Sequence, residues 1–341
     1  MGERVGNEAL CLGETMSLIA PSAPVPLESA ASFTLSAAGA ESNVAVHLAA
    51  LGHRVGWVSR VGDDPLGRRL VTSLAATGVD TGLVEVHPTA PTGVYFKDPG
   101  VDGTRVHYYR AGSAASTMDS DLVDGVDVDG TGLVDGTGLL HLSGITPALS
   151  DGCDRLVRRL LRRPRRSTVS FDVNYRSALW PVERAAPRLR ELADEADIVF
   201  VGLDEAAALW GVETPGQVRE VLSGPGTVVV KDSALAAHAL ADDVTTVSAP
   251  AVTVVEPVGA GDAFAAGYLS AMLRGSGAKR CLRLGHLLAA HSLLGTEDHA
   301  PLPDHELLTE WLDCADRRWA ALSFAPTTGE LPDNDLPAER A

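Results

Sequence analysis

Short apolar runs alternate along the chain with stretches in which apolar positions recur every three or four residues. The runs at residues 9–12, 55–59, 139–142, 168–172, 198–201 and 227–230 predict strands. Several are apolar on both faces, as a parallel sheet covered on both sides requires. Between them, helical spacing at residues 43–51, 66–77, 153–161, 185–193 and 205–209 predicts the covering helices. Strand and helix in alternation predict an α/β fold: a doubly wound, mostly parallel sheet flanked by helices.

Two segments break this rhythm. Residues 14–36 and 91–112 read as turns and short strands with no helix, and together they predict a small β-rich lid over one end of the sheet. Residues 114–137 are polar and rich in Gly and Asp. The main unit is expected to run over residues 1–322. The remainder, 323–341, is rich in Pro, Asp and Glu and reads as a disordered tail.

Composition narrows the classes of function. With 45% hydrophobic residues in 341, the chain can bury a large core. No run of 18 apolar residues predicts a membrane span, and the opening MGERVGNEAL lacks the profile of a secretory signal. The net charge of −17 argues against nucleic acid and anionic membranes as partners. Cys11, Cys153, Cys281 and Cys314 have neither metal-like nor disulfide-like spacing, which suits reduced thiols in the cytoplasm. The basic run at 158–166 reads as the solvated end of a helix broken by Pro164.

The chemistry concentrates in PVGAGDAFAAGYL, residues 257–269. Gly259 and Gly261 permit a tight turn and close approach by a ligand. The helix that follows offers free N–H groups and the positive end of its dipole to an anion such as phosphate. Asp262 at that place either caps the helix or takes a proton from a hydroxyl that attacks the phosphate. The turn alone does not decide between the two. His141, at the edge of an apolar strand, reads as a hydrogen-bonded structural histidine, and no spacing of His, Cys or carboxylates points to zinc.

Other segments, read in order, carry a resemblance: AGAESNVAVHLAALG (38–52), VGDDPLG (61–67), TGVYF (92–96), HYYRAGSAAS (107–116), HLSGITPALS (141–150), FDVNYRSALW (171–180) and EPVGAGDAFAAGYL (256–269). Together they resemble the ribokinase, or PfkB, family of carbohydrate kinases, and match best its 2-keto-3-deoxygluconate kinases. The resemblance implies a ribokinase-like sheet with a β lid over the sugar, ATP and Mg²⁺ as cofactors with room for a monovalent cation, and dimers formed through the lid.

By the same resemblance, Asp262 is the general base, and the amides of Gly259, Ala260, Gly261 and Asp262 stabilise the transferring phosphoryl group. Gly39, Ala40 and Asn43 match the sugar-binding loop, while helix capping is the plainer role for Asn43. Tyr95, Tyr108 and Arg110 match ligand-contacting lid residues. Arg176, with Asn174 and Tyr175, matches the segment that reaches sugar and nucleotide. A guanidinium suits a sugar carboxylate. Asp298 matches a late acidic residue near the sugar.

The departures cluster on the nucleotide side. Gly202 and Glu205 stand in a motif linked to magnesium and phosphate, but the usual Asn before Leu203 is missing. After Lys231, Ser233 and Ala236 replace glycines that let the chain pass near the phosphates; a Cβ there forces strain if φ is positive. Glu256 replaces an aspartate, and His286 stands where an asparagine near adenine is expected. The leading expectation is a kinase for the terminal hydroxyl of 2-keto-3-deoxygluconate or a close keto-deoxy acid. A kinase for fructose or another neutral sugar, and a sugar-acid-binding protein with a degraded nucleotide site, are the competing readings.

Overall fold

In the computed structural model, residues 7–100, 103–124, 137–162, 167–295 and 302–326 are described. The strands are β1 (Ala9–Leu12), β2 (Met16–Pro21), β3 (Phe33–Ala38), β4 (Val55–Gly62), β5 (Asp80–His87), β6 (Val94–Gly100), β7 (Gly103–Tyr109) and β8 (Leu139–Ser143). They continue as β9 (Thr168–Asp172), β10 (Ile198–Gly202), β11 (Thr227–Asp232), β12 (Ala236–Leu240), β13 (Val244–Ser248), β14 (Ala251–Val252) and β15 (Ser323–Phe324). The nine-stranded main sheet has the order β13-β12-β11-β10-β9-β8-β1-β4-β5. Its strands from β5 to β11 run parallel, and β12 and β13 add an antiparallel edge.

The expected doubly wound fold is present, and each predicted strand lies within an observed one. Alternate residues of a central strand enter different cores: Ala9 and Cys11 join one apolar cluster, Leu10 and Leu12 the other. That is the two-sided burial the apolar runs imply. Helices α1 (Ala40–Ala50), α2 (Pro65–Ala76), α3 (Asp121–Asp124), α4 (Ile145–Leu149), α5 (Asp151–Arg162), α6 (Val182–Asp194), α7 (Leu203–Trp210) and α8 (Pro215–Val221) precede the Gly-Ala-Gly-Asp turn. After it come α9 (Ala260–Leu273), α10 (Ala278–Ser292), α11 (His305–Asp313) and α12 (Asp316–Trp319).

Local chemistry fixes the helix ends that matter. Asp64 accepts the N–H of Gly67 at 2.8 Å and Pro65 occupies the first turn, so α2 starts where the pattern predicts. The small residues of α9 have a packing reason. A Cβ on Gly267 would lie 2.5 Å from the carbonyl oxygen of Leu284, so α9 and α10 meet backbone to backbone.

The lid is a second sheet of order β3-β2-β6-β7, built from the two segments that broke the rhythm. Its register puts Met16, Ala38, Tyr95, Lys97 and Val106 on an inner face toward the main sheet. Ile19, Phe33, Leu35, Phe96 and Tyr109 share the outer face. Ser323 and Phe324, placed by the sequence pattern in the tail, instead pair with β14, and Phe324 packs edge-on against Trp311. Residues 327–341 lie outside the described part.

Candidate active site

In an open parallel sheet, backbone groups and side chains at the carboxyl ends of the strands converge on one crevice. Here the ends of β1, β9, β10 and β11 deliver Glu14, Asp172, Gly202 and Lys231 to the rim of a cavity of about 910 Å³. The inner face of the lid closes one side and the start of α9 the other. Gly39, Ala40, Asn43, Tyr95, Tyr108, Arg110, Asn174, Arg176, Gly202, Glu205, Lys231, Ser233, Ala236, Gly259, Ala260, Gly261, Asp262 and His286 all line this cavity. Asp298 lies outside the described residues.

Gly259 has φ +86°, a left-handed conformation that glycine adopts without penalty, and it caps the N-terminus of α9. Gly259, Ala260, Gly261 and Asp262 line the cavity, and the free amides of a helix start suit an anion. Asp262 stands in that first turn. Burial raises its pKa to about 7, helped by the charge of Asp172, while Asn43, Arg176 and Lys231 oppose the rise. A carboxylate poised near neutral pH can take up a proton under ordinary conditions.

Asn43 donates its side-chain amide to Asp262 Oδ2 at 2.8 Å, and its Oδ1 accepts the N–H of Gly39 at 3.4 Å. The side chain thus serves the start of α1, but not as its N-cap residue, which is Gly39. Gly39 is extended, so its φ does not demand glycine. The demand is steric: a Cβ would lie 2.3 Å from the Glu14 carbonyl oxygen and 2.9 Å from Thr15 Cα.

Beside the turn, Lys231 Nζ lies 3.0 Å from Asp172 Oδ2. Burial works against the charge of Lys231, but Asp172, Glu205 and Asp262 outweigh it and raise its pKa. Lys231 therefore stays cationic next to Gly261, where a Cβ would meet its Nζ at 3.5 Å. Glu205 accepts the N–H of Gly202 at 2.8 Å and that of Tyr175 at 2.9 Å. Burial pushes its pKa up, against the pull of Lys231. Arg176 is half exposed, with Nη1 3.8 Å from Glu205 and 3.1 Å from the Tyr175 carbonyl.

On the lid side, Tyr95 and Tyr108 stack with ring centroids 5.6 Å apart. Arg110 Nε donates to Glu14 Oε2 at 2.7 Å, and its Nη2 also contacts that carboxylate. Ser113 Oγ donates to Glu14 Oε1 at 2.5 Å. Arg110 thus reaches the cavity already paired, which its sequence context did not reveal. Lys97 meets Glu256 at 3.4 Å. Glu14, Lys97 and Asp172 were missed as site residues. The available signal was a charged residue in, or two positions beyond, a strand with apolar residues.

Just past β11, Ser233 has φ +45°, so the condition under which its Cβ brings strain is met. Ala236 begins β12. His286 shares a hydrogen bond with the Val247 carbonyl at 3.0 Å and packs edge-on against Phe264; burial lowers its pKa to about 4. It is a neutral donor to the backbone at pH 7. Asn174 has φ +41°, and its buried Oδ1 has no partner among the described residues. His141 is fully buried, 2.9 Å from Ser170 Oγ, as a structural histidine should be.

No group of three or more His, Cys, Asp or Glu that could hold a metal occurs among the described residues. Mg²⁺ that is carried by phosphates needs only one or two protein oxygens. The orphaned Asn174 Oδ1 and the Glu205 carboxylate are the nearest candidates for such contacts.

A family model described as pfkB family carbohydrate kinase matches residues 7–305. The 2-dehydro-3-deoxygluconokinase of Thermoproteus tenax is 35% identical over 304 residues, covering 86% of this chain and 90% of that protein. The 2-dehydro-3-deoxygalactonokinase of Haloferax volcanii is 33% identical over 298 residues, covering 83% and 90%. The crystal structure of a PfkB protein from Polaromonas sp. JS666 has a TM-score of 0.79 at 35% identity, covering 89% of this chain and 99% of that one.

Proposed function

Because the chain belongs to the pfkB family of carbohydrate kinases, and is a sugar kinase, we propose that it transfers the ATP γ-phosphoryl group to the terminal primary hydroxyl of 2-keto-3-deoxygluconate or a close keto-deoxy acid. The observation that carries this reading is the junction of base and anion turn: Asp262, with a pKa near 7, in the first turn of α9 behind the left-handed Gly259. The names of the two relatives, which act on 2-dehydro (that is, 2-keto) 3-deoxy acids, support the substrate class.

In this account the sugar lies under Tyr95 and Tyr108, with its primary hydroxyl toward Asp262. The Asp262 carboxylate accepts the hydroxyl proton as the oxygen bonds to the γ-phosphorus and the bond to the departing ADP oxygen breaks. The amides of Gly259, Ala260, Gly261 and Asp262 meet the charge on the transferring group, and Lys231 adds a cation beside them. Mg²⁺ neutralises phosphate charge when bound. Arg176, half exposed on the rim, is the readier partner for the sugar carboxylate; Arg110 reinforces it from the Glu14 pair.

The outer lid face, with Phe33, Leu35 and Tyr109 exposed, suits pairing with the lid of a second copy. Among the described residues no helix is long and apolar enough to cross a membrane. The four unpaired cysteines suit a reducing cytoplasm.

The test is ADP release with MgATP and a panel of 2-keto-3-deoxygluconate, 2-keto-3-deoxygalactonate, fructose and ribose. Turnover confined to the keto-deoxy acids is expected. Turnover with fructose alone would replace this reading by a neutral-sugar kinase. Silence, with the acids still raising the melting temperature, would favour a binder whose nucleotide side is impaired at Ser233.

A further inference from the structure

The sugar side and the phosphate side of the cavity sit on different parts of the fold, the lid and the turn before α9, and one ion pair bridges them. Lys97 follows Tyr95 by two positions on β6, so both side chains leave the lid on its inner face. The Lys97 ammonium reaches Glu256 Oε2 at 3.4 Å, with the two side chains only 8% and 17% exposed. The other oxygen, Glu256 Oε1, accepts the N–H of Val258 at 3.3 Å. Val258 immediately precedes Gly259, where φ +86° opens the anion turn. Glu256 thus holds the lid with one oxygen and the turn with the other.

In water such a pair would matter little. Here it is shielded, so parting lid from turn breaks it where the loss is felt in full. We infer that Lys97 and Glu256 are positioning residues that keep the sugar lid and the anion turn in one register, so that filling the sugar side tightens the phosphate side. The inference rests on the site reading proposed above. It makes sugar and nucleotide binding mutually reinforcing, by the same factor in each direction.

The experiment titrates a non-hydrolysable ATP analogue with Mg²⁺ into the native protein, Lys97→Met, Lys97→Arg and Glu256→Gln, with and without saturating sugar from the panel. Saturating sugar is expected to tighten analogue binding to the native protein about fivefold or more, within the usual range of coupling between sites. The ratio should fall to near one in Lys97→Met and Glu256→Gln and persist in Lys97→Arg. A native ratio of one, or a native-like ratio in Lys97→Met, overturns the inference. If Lys97→Met does not fold, Glu256→Gln decides, because its amide oxygen can still accept the Val258 N–H. If only a neutral sugar binds, the keto-deoxy acid reading fails and the ratio with that sugar still judges the joint. If no sugar of the panel binds, both readings fall.

Discussion

Asn43 and Asp262, 219 residues apart in sequence, are joined by a hydrogen bond of 2.8 Å from the Asn43 amide to Asp262 Oδ2. The contact favours the ionised form of the aspartate while burial and Asp172 favour the neutral one. Burial dominates, and Asn43 partly offsets it, lowering the pH at which Asp262 becomes a carboxylate.

Removing that donor should make Asp262 a carboxylate only at higher pH. In Asn43→Ala the acid limb of kcat/KM, expected near pH 7 in the native enzyme, should move up by about one unit. A pH–rate profile from 5 to 9 checks it. An unmoved limb would mean that another group governs it.

The two arginines of the cavity should behave differently. Arg110 neutralises a Glu14 carboxylate whose side chain is fully buried, so Arg110→Ala should cost about 3 kcal/mol of stability by leaving that charge uncompensated. Arg176 is 49% exposed, so Arg176→Ala should stay within about 0.5 kcal/mol of the native protein. It should nonetheless weaken keto-deoxy acid binding about tenfold or more and neutral-sugar binding little. Urea melts and calorimetric titration separate the two effects. Equal loss for acid and neutral sugars would remove Arg176 from carboxylate recognition.

Ser233 carries its side chain at φ +45°, where an L-residue is strained by roughly 1–2 kcal/mol. Glycine relieves that strain but gives the unfolded chain more freedom, so Ser233→Gly should gain roughly 0.5 kcal/mol net. Because Ser233 lines the cavity, the relaxed loop should also lower KM for ATP. Denaturant midpoints and ATP saturation curves test both outcomes.

Much of this was legible in the sequence because periodicity reports burial. The parallel strands β1, β4, β8, β9, β10 and β11 are apolar runs, and α2 announces itself with Asp64 and Pro65. The strand β5 escaped because its eight residues are exposed or half-buried and show no clean alternation. The antiparallel β12 and β13 escaped because AAHAL and VTTVS mix small and polar residues. The site was legible as a set of positions but not as a set of pairs. Lys231–Asp172, Arg110–Glu14 and Lys97–Glu256 span 59, 96 and 159 residues of sequence. Which partner a charge finds is decided by strand order, and strand order leaves no local mark.

Asp262→Asn tests the central claim most directly, with phosphoryl transfer and sugar binding measured on the same preparation. The native carboxyl has a raised pKa, so its folded form is favoured at low pH and that stability is lost as pH rises from about 4 through about 7. The neutral amide escapes this loss, and the variant should melt no lower than the native protein at pH 8. Its kcat should fall about 10²-fold to 10⁴-fold, the usual contribution of a positioned base, with sugar affinity kept within about threefold. A folded Asp262→Asn enzyme that binds sugar and turns over at the native rate would contradict the account.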